Sequence, residues 1–318
     1  MKAKREYIIL AFIIAALVGY LVFKHTDRIH YVLPDLEKVD VKGISKVEIT
    51  RGNVKTVLMR KGDSWHITPQ DWRVDPQKIA DMLSAIGDLH LTDLVSETKA
   101  YDRYQLDAKN KLMVKAYSGL TLKREFDVGK AAPTNQHTFI RIPGDEKIYL
   151  AGGDFRRSFD IPISELRDML VFSLTPSQIT EIHLERSGQV LTLSRQEAST
   201  AKAAKAQGKG RPLEVIWKNE KGEQPDKNKI ESLLAELSKI YCEGYLDDTM
   251  KASLTKPAMI LKLKGPKEYT LFIYDKYVEK IPALSSMNES PFVMPSYKFE
   301  ALQKSMAEIM GKPIKDSK

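Results

Sequence analysis

Two segments of the chain repeat the same spacing of apolar and polar positions. They are "DPQKIADMLSAIGDL", residues 75–89, and "DKNKIESLLAELSKI", residues 226–240. Apolar residues fall at i, i+3, i+4, i+7 and i+10, which aligns them in one stripe along a helix. These residues are Ile79, Met82, Leu83, Ile86 and Leu89 in the first segment and Ile230, Leu233, Leu234, Leu237 and Ile240 in the second. Since Asp75 and Asp226 are placed to cap their helices, the pattern predicts two equivalent helices.

Runs of alternating apolar and polar residues surround both helices. The runs before them are "SKVEITRG" and "KTVLMRKGDSWHI" in one case, and "TEIHLERSG", "VLTLSRQ" and "LEVIWKN" in the other. The runs after them are "KLMVKAYSG" with "LKREFDVG", and "AMILKLKG" with "YTLFIYDK". Such alternation is typical of half-buried antiparallel strands. The sequence therefore predicts an α+β fold with two tandem repeats, residues 41–170 and 171–310, each an antiparallel sheet with a packed helix.

The second repeat contains an insertion, "EASTAKAAKAQGKGRP", at residues 197–212. Its small, basic and Gly-containing composition predicts a solvated, mobile loop between two strands. The alternative is a phosphate or lipid-headgroup contact through Lys202, Lys205, Lys209 and Arg211. Residues 311–318 are predicted to form a tail.

The chain begins with an uncharged run from Tyr7 to Phe23. As a helix, this run would span roughly 25 Å, the short end of what crosses a bilayer. We therefore expect a single transmembrane helix at residues 7–23, after a short N-terminal segment of residues 1–6 and before a linker at residues 24–40. Ala15 and Gly19 lie one turn apart, which suits either close packing of a partner helix or an ordinary lipid-facing surface. A cleaved signal peptide is the alternative, but the run is longer than usual and no A-x-A site follows it.

Basic residues before the uncharged run predict its orientation. Lys2, Lys4 and Arg5 would keep the N-terminus in the cytoplasm, with the bulk of the chain on the periplasmic or extracytoplasmic side of the cytoplasmic membrane. The formal net charge of +8 is scattered along the 318 residues. It gives a weak indication of an anionic partner such as lipid headgroups. The predicted partner is thus the lipid bilayer, and no nucleic-acid partner is expected.

The sequence contains none of the common catalytic or cofactor motifs. There is no P-loop, G-x-G-x-x-G, H-E-x-x-H, C-x-x-C or G-x-S-x-G element. His25 and His30 are close in sequence but are more easily explained as interfacial residues than as metal ligands. Cys242 fits a core thiol better than a nucleophile. We therefore predict no catalytic residues, no cofactor and no metal, although sites can assemble from distant residues.

The order of several short elements resembles a protein family. These elements are the Tyr104, Leu106, Asp107 turn, with Gln105 and Lys109 in place of the usual Gly and Pro, then Gly129, and the strand Phe139-Ile140-Arg141. A weaker copy has Leu254 and Pro257 in the second repeat, with Ser253 and Thr255 as departures. The pattern is similar to the domain-of-unknown-function family 4340 (DUF4340). Members of that family are typically single-anchor envelope proteins, often encoded beside ABC-transporter subunits of the gliding-motility type.

Two functions therefore compete at the level of sequence. The resemblance implies a membrane-anchored, non-enzymatic accessory or scaffold subunit of an ABC-type export or envelope complex, with transporter membrane subunits as partners. The alternative is a binding module for an envelope glycan or lipid. Its candidate interaction residues are Trp72, Tyr101, Arg103 and Tyr104. An enzyme such as a hydrolase is a third hypothesis, which no sequence motif supports.

Overall fold

The computed structural model describes residues 3–23, 31–198 and 214–310. Several predicted features lie outside the described residues. They are the first part of the linker with His25 and His30, most of the insertion with its four basic residues, and the tail at 311–318.

The described residues form six α-helices. They are α1 (Ala3–Phe23), α2 (Pro76–Gly87), α3 (Phe155–Phe159), α4 (Ile163–Leu166), α5 (Lys227–Leu237) and α6 (Ser296–Met310). Although α1 covers the predicted transmembrane positions, including Tyr7, Ala15, Gly19 and Phe23, a membrane span is not supported. Within the described ranges, none of the helices has both the length and the apolar character needed to cross a bilayer.

Nineteen strands accompany these helices. In the first half of the chain they are β1 (Lys46–Arg51), β2 (Val54–Lys61), β3 (Ser64–Thr68), β4 (Trp72–Arg73), β5 (Leu91–Ser96), β6 (Leu112–Ser118), β7 (Thr121–Ala131), β8 (His137–Arg141) and β9 (Ile148–Gly152). In the second half they are β10 (Leu170–Ser173), β11 (Glu181–Arg186), β12 (Gln189–Ala198), β13 (Glu214–Asn219), β14 (Lys239–Tyr241), β15 (Gly244–Tyr245), β16 (Met259–Lys264), β17 (Glu268–Ile273), β18 (Ile281–Ser285) and β19 (Asn288–Met294).

The two large sheets have the same strand order. The first runs β4-β3-β2-β1-β6-β7-β8-β9-β5, and the second runs β13-β12-β11-β16-β17-β18-β19-β15. Apart from β4, each strand of the first sheet has a counterpart at the same place in the second. The helices also occur at equivalent places: α5 follows β13, and α2 follows β3, the counterpart of β13, with the short strand β4 between them. The predicted α+β class with large antiparallel sheets is confirmed, and the shared strand order is what a repeated unit requires.

The chain divides into two compact units that do not coincide with the two sequence repeats. One contains Met1–Arg60 with Ile79–Ile161, and the other contains Lys61–Lys78 with Pro162–Lys318. The predicted ranges 41–170 and 171–310 are each one continuous segment, whereas each observed unit consists of two segments. In the structure, β3 and β4 take their place in the first sheet by strand order but belong to the second compact unit. This assignment brings Trp72 into the second unit.

Both predicted helices form, and both are capped by aspartate. The carboxylate of Asp75 accepts a hydrogen bond from the Gln77 amide (2.8 Å), and that of Asp226 accepts one from the Asn228 amide (2.9 Å). The predicted second helix was too long at its C-terminus, because residues 239–241 form β14 instead. There Ile240 is fully buried and pairs with Phe172 of β10. Strand pairing thus ends the apolar stripe that the sequence presented as helical.

The core of the second unit gathers residues from both repeated and unrepeated elements. Leu233 and Leu237 of α5 are fully buried with strand residues such as Leu261. The helix α6, which the sequence analysis missed, adds Leu302 and Met306 to the same core. The second unit is therefore completed by an element that lies after the repeat pattern has ended.

Gly129 on β7 is required by close packing in the first unit. A Cβ atom at this position would meet the carbonyl oxygen of Tyr104 and would lie 3.0 Å from Leu106 Cγ. The first of these neighbours is backbone, which cannot rotate away. The glycine that contributed to the family resemblance thus lets β7 pass directly beneath the turn that contains Tyr104.

We expect Gly129→Ala to lower the free energy of unfolding by about 1–3 kcal/mol, the usual cost of overpacking. Urea denaturation followed by circular dichroism measures it. Gly43→Ala is the matched control, since a Cβ there would find its nearest atoms at 3.6 and 3.7 Å, an ordinary contact distance. An equal effect of both substitutions would contradict the packing argument.

Candidate functional site

The guanidinium group of Arg167 packs against two aromatic rings in the second unit. Its central carbon is 4.0 Å from the centre of the Trp72 ring and 3.3 Å from that of the Tyr245 ring. Trp72 belongs to β4 and Tyr245 to β15, while Arg167 follows α4. Only 6% of Arg167 is exposed. The two rings pack against the planar group, and the N–H donors along its edge are the atoms that a further partner would bind.

Backbone hydrogen bonds fix Arg167 beside β4. The Asp75 amide donates to the carbonyl oxygen of Leu166 (2.8 Å), and the Asp168 amide donates to that of Arg73 (2.9 Å). Between them, Val74 and Arg167 form an isolated antiparallel bridge. The segment before β10 is therefore held as a short strand against the end of β4.

The other side of the stack is fixed through Tyr245. Its hydroxyl donates to the carbonyl oxygen of Asp168 (2.5 Å) and accepts a hydrogen bond from the Asn288 side-chain amide (2.8 Å). Burial raises the pKa of Tyr245 above its usual range, so the phenol stays protonated as a donor. The Asp168 carboxylate lies 3.6 Å from the Arg73 guanidinium. These contacts hold the ring in position over Arg167.

Two cavities open on this stack. One has a volume of about 770 Å³ and the other about 430 Å³. Trp72, Arg167, Tyr245 and Asp248 line both of them. We call the two cavities together the Arg167 groove. Each volume is within the roughly 300–1,000 Å³ range typical of small-molecule sites.

Among the described residues no carboxylate forms an ion pair with Arg167, although the charge of Asp248 acts on it from a greater distance. Its guanidinium packs on the two rings, and within the described residues no hydrogen bond or ion pair reaches it. The other basic side chains that line the groove are already engaged. Lys78 donates to the Glu165 carbonyl oxygen, Lys251 donates to that of Glu289 (2.9 Å), and Arg73 lies near Asp168.

Burial lowers the pKa of Arg167, yet an arginine remains charged at any physiological pH. A buried charge without a hydrogen-bonded counter-ion is costly to a folded protein. An oxyanion at the open edge would relieve that cost with charge-assisted hydrogen bonds, and carboxylates and phosphates match the fork of N–H donors. The groove is therefore best suited to binding an anionic group.

Cys242 lies near this site but has the properties of a core thiol. It is 7% exposed, and its sulfur is 3.9 Å from the Met169 sulfur. Burial raises the pKa of the thiol to about 11, the opposite of what an activated nucleophile needs. No group of three metal-ligating side chains occurs in the part of the chain that the structure describes.

The four predicted interaction residues do not share one site. Trp72 lines the Arg167 groove, whereas Tyr101, Arg103 and Tyr104 lie on one 3-10 turn, Tyr101–Tyr104, in the first unit. There the Tyr101 hydroxyl donates to the Glu146 carbonyl oxygen (3.1 Å), and the Tyr104 ring packs on Phe139 with ring centres 4.7 Å apart. Both tyrosines thus contribute to packing around the core of that unit.

Sequence reasoning missed Arg167 and Tyr245. Arg167 stands in "SELRDML", which reads as part of a connection between repeats, and Tyr245 follows the second helix. Neither belongs to a motif with a recognisable spacing. The only available signal was Trp72, a large aromatic residue beside charged neighbours.

The Cys242 thiol gives a testable pH dependence. The unfolded thiol loses its proton near pH 9.0, whereas the folded thiol keeps it to about pH 11. The unfolded state therefore binds fewer protons in that window, and stability falls as pH rises from about 9 to about 11. Urea denaturation at a series of pH values measures the fall. We expect a shallower slope for Cys242→Ala, and equal slopes would show that the thiol is not the titrating group.

Comparison with known proteins supports a family assignment and nothing more specific. The model of a domain of unknown function, DUF4340, matches residues 65–257. The match begins at β3 in the first sheet and ends just before β16 in the second. Neither curated proteins nor solved structures gave a significant match. Since the family model covers more than half of the chain, this protein belongs to the DUF4340 family.

Proposed function

We propose that this protein is a non-catalytic binding module whose ligand places an anionic group at Arg167. One observation carries the proposal: Arg167, which is 6% exposed, lies at the wall of two cavities, and its guanidinium packs on two rings without a protein acceptor among the described residues. Backbone pairing and the Tyr245 hydrogen bonds hold the residues around it in place. Such preorganisation lowers the entropic cost of binding.

Binding fits these residues better than catalysis does. The thiol beside the groove has a raised pKa, and the Tyr245 hydroxyl is engaged both as donor and as acceptor. Neither group is prepared to act as a nucleophile or general base. This supports the binding module, one of the two functions that the sequence suggested, although a different residue carries it.

The accessory role in an ABC-type envelope complex stays a separate proposal. It rests on the family resemblance and on the N-terminal segment, as does placement on the outer side of the cytoplasmic membrane. A binding module and an accessory subunit are compatible, because an accessory subunit can deliver a ligand to its complex.

The proposal is tested with the smallest oxyanions, acetate and inorganic phosphate. In protein labelled with ¹⁵N-arginine, the side-chain N–H signal of Arg167 is assigned by its loss in Arg167→Met. We expect one or both anions to shift this signal in a saturable way. The variants lack this signal, so isothermal titration calorimetry with the same anion measures their affinities. A hydrogen bond to a charged group is worth about 1.5–3 kcal/mol, so Arg167→Met should raise the dissociation constant by at least about tenfold.

Two variants serve as controls for this titration. Arg103→Met removes an exposed arginine of the first unit and should leave binding unchanged. Arg167→Lys keeps the charge but loses the fork of donors, so it should bind more weakly than the wild type. If the Arg167 signal responds to neither anion, the groove is not an anion site and the proposal fails.

A further inference from the structure

The charged residues that line the Arg167 groove indicate which other groups its ligand has. We infer that the ligand is a short peptide with a free C-terminal carboxylate, which binds Arg167, and a cationic group, which faces the acidic residues of the groove. This inference rests on the proposed function, since it places the carboxylate at the same arginine.

The larger cavity has an excess of negative charge. Glu165, Glu243, Asp247 and Asp248 line it, against the two cationic residues Lys78 and Arg167. The smaller cavity is balanced, with three carboxylates and three permanently cationic side chains along its walls. A polyanion such as a phosphate-rich polymer would meet repulsion from the larger cavity. A ligand with one anionic and one cationic group would be attracted at both, by Arg167 and by the acidic residues respectively.

Several of these acids have no hydrogen-bonding partner within the described residues. Glu165, Glu243, Asp248 and Glu289 are exposed, and their side chains form no ion pair or hydrogen bond with the part of the chain that the structure describes. Asp247, by contrast, is engaged, because its carboxylate accepts from the Thr249 amide (2.9 Å) and hydroxyl (2.7 Å). Ionised carboxylates only accept hydrogen bonds. Since no cation of the described residues is paired with them, a ligand that carries a positive charge and N–H donors would find these acceptors available.

Asp248 connects the acidic walls to the arginine. It lines both cavities with Arg167, and its charge acts on Arg167 without forming an ion pair with it. A ligand that spans the two groups needs opposite charges a short distance apart. Hydroxyl groups could satisfy the acceptors, but they would leave the excess negative charge of the larger cavity uncompensated. An ammonium group satisfies both requirements, which favours a peptide over an acidic sugar.

The probes are N-acetylated tripeptides that differ in one charge. The first has the sequence alanine-lysine-alanine with a free carboxylate, the second is its C-terminal amide, and the third has norleucine in place of lysine. Isothermal titration calorimetry on the full chain measures their affinities. We expect the first peptide to bind at least tenfold more tightly than either of the others.

Two variants assign each charge of the peptide to a residue. Arg167→Met should abolish the difference between the acid and the amide, with Arg167→Lys as a gentler variant if folding is affected. Asp248→Asn changes an exposed side chain and should reduce the difference between the lysine and norleucine peptides. It should leave the difference between acid and amide in place. Reversed assignments would overturn the proposed orientation and with it the inference.

The remaining outcomes separate this inference from the proposed function. If acetate or phosphate shifts the Arg167 signal but the three peptides bind equally or not at all, the groove binds anions and the inference of a peptide ligand is wrong. Preferential binding of glucuronate, or of phosphatidylglycerol vesicles over phosphatidylcholine vesicles, would overturn the peptide in favour of a glycan or lipid. If no probe affects Arg167, both proposals fail.

Discussion

The candidate site depends on a short stretch of backbone pairing between residues 73–75 and 166–168. Two hydrogen bonds, of 2.8 and 2.9 Å, hold these segments together within the second unit. This pairing places the backbone of Arg167 beside that of Val74, near Trp72, and Asp168 presents its carbonyl oxygen to the Tyr245 hydroxyl. The three stacked groups come from distant parts of the sequence. The hydrogen bonds between these distant segments therefore keep a charged side chain buried, which no single segment could do.

A buried arginine without a partner makes a stronger functional argument than a surface cluster of charges. Exposed ion pairs such as Lys61–Asp71 contribute little and occur widely. A contrasting case is Asp127 in the first unit, which is 1% exposed and is neutralised by Lys111 and Arg141. That cluster is complete and needs no ligand. Arg167 has comparable burial but lacks the acceptor, so the same physical rule that explains Asp127 as structural favours binding at Arg167.

Much of the fold could be predicted from the sequence, because its signals are local. The apolar stripes predicted α2 and α5, and alternation predicted most strands of both sheets. Prediction failed where tertiary pairing overrode local pattern, as at Ile240, which continues a helical stripe but lies in a strand. It also failed for α6, since no repeat partner drew attention to "YKFEALQKSMAEIM". The site was less predictable than the fold, because Arg167 and Tyr245 acquire their meaning only from burial and stacking.

The shared strand order has a consequence for how the chain is made. In the first sheet β1 pairs with β6, and the side chains of Glu48 and Tyr117, which meet there, are 69 residues apart in sequence. At a synthesis rate of about 5–20 residues per second, roughly 3–14 s separate the emergence of these two strands from the ribosome. The second copy repeats the delay, because β11 must wait for β16. During each interval one side of a newly formed hairpin has no neighbour, which makes the nascent chain a natural client for chaperones that shield strand edges.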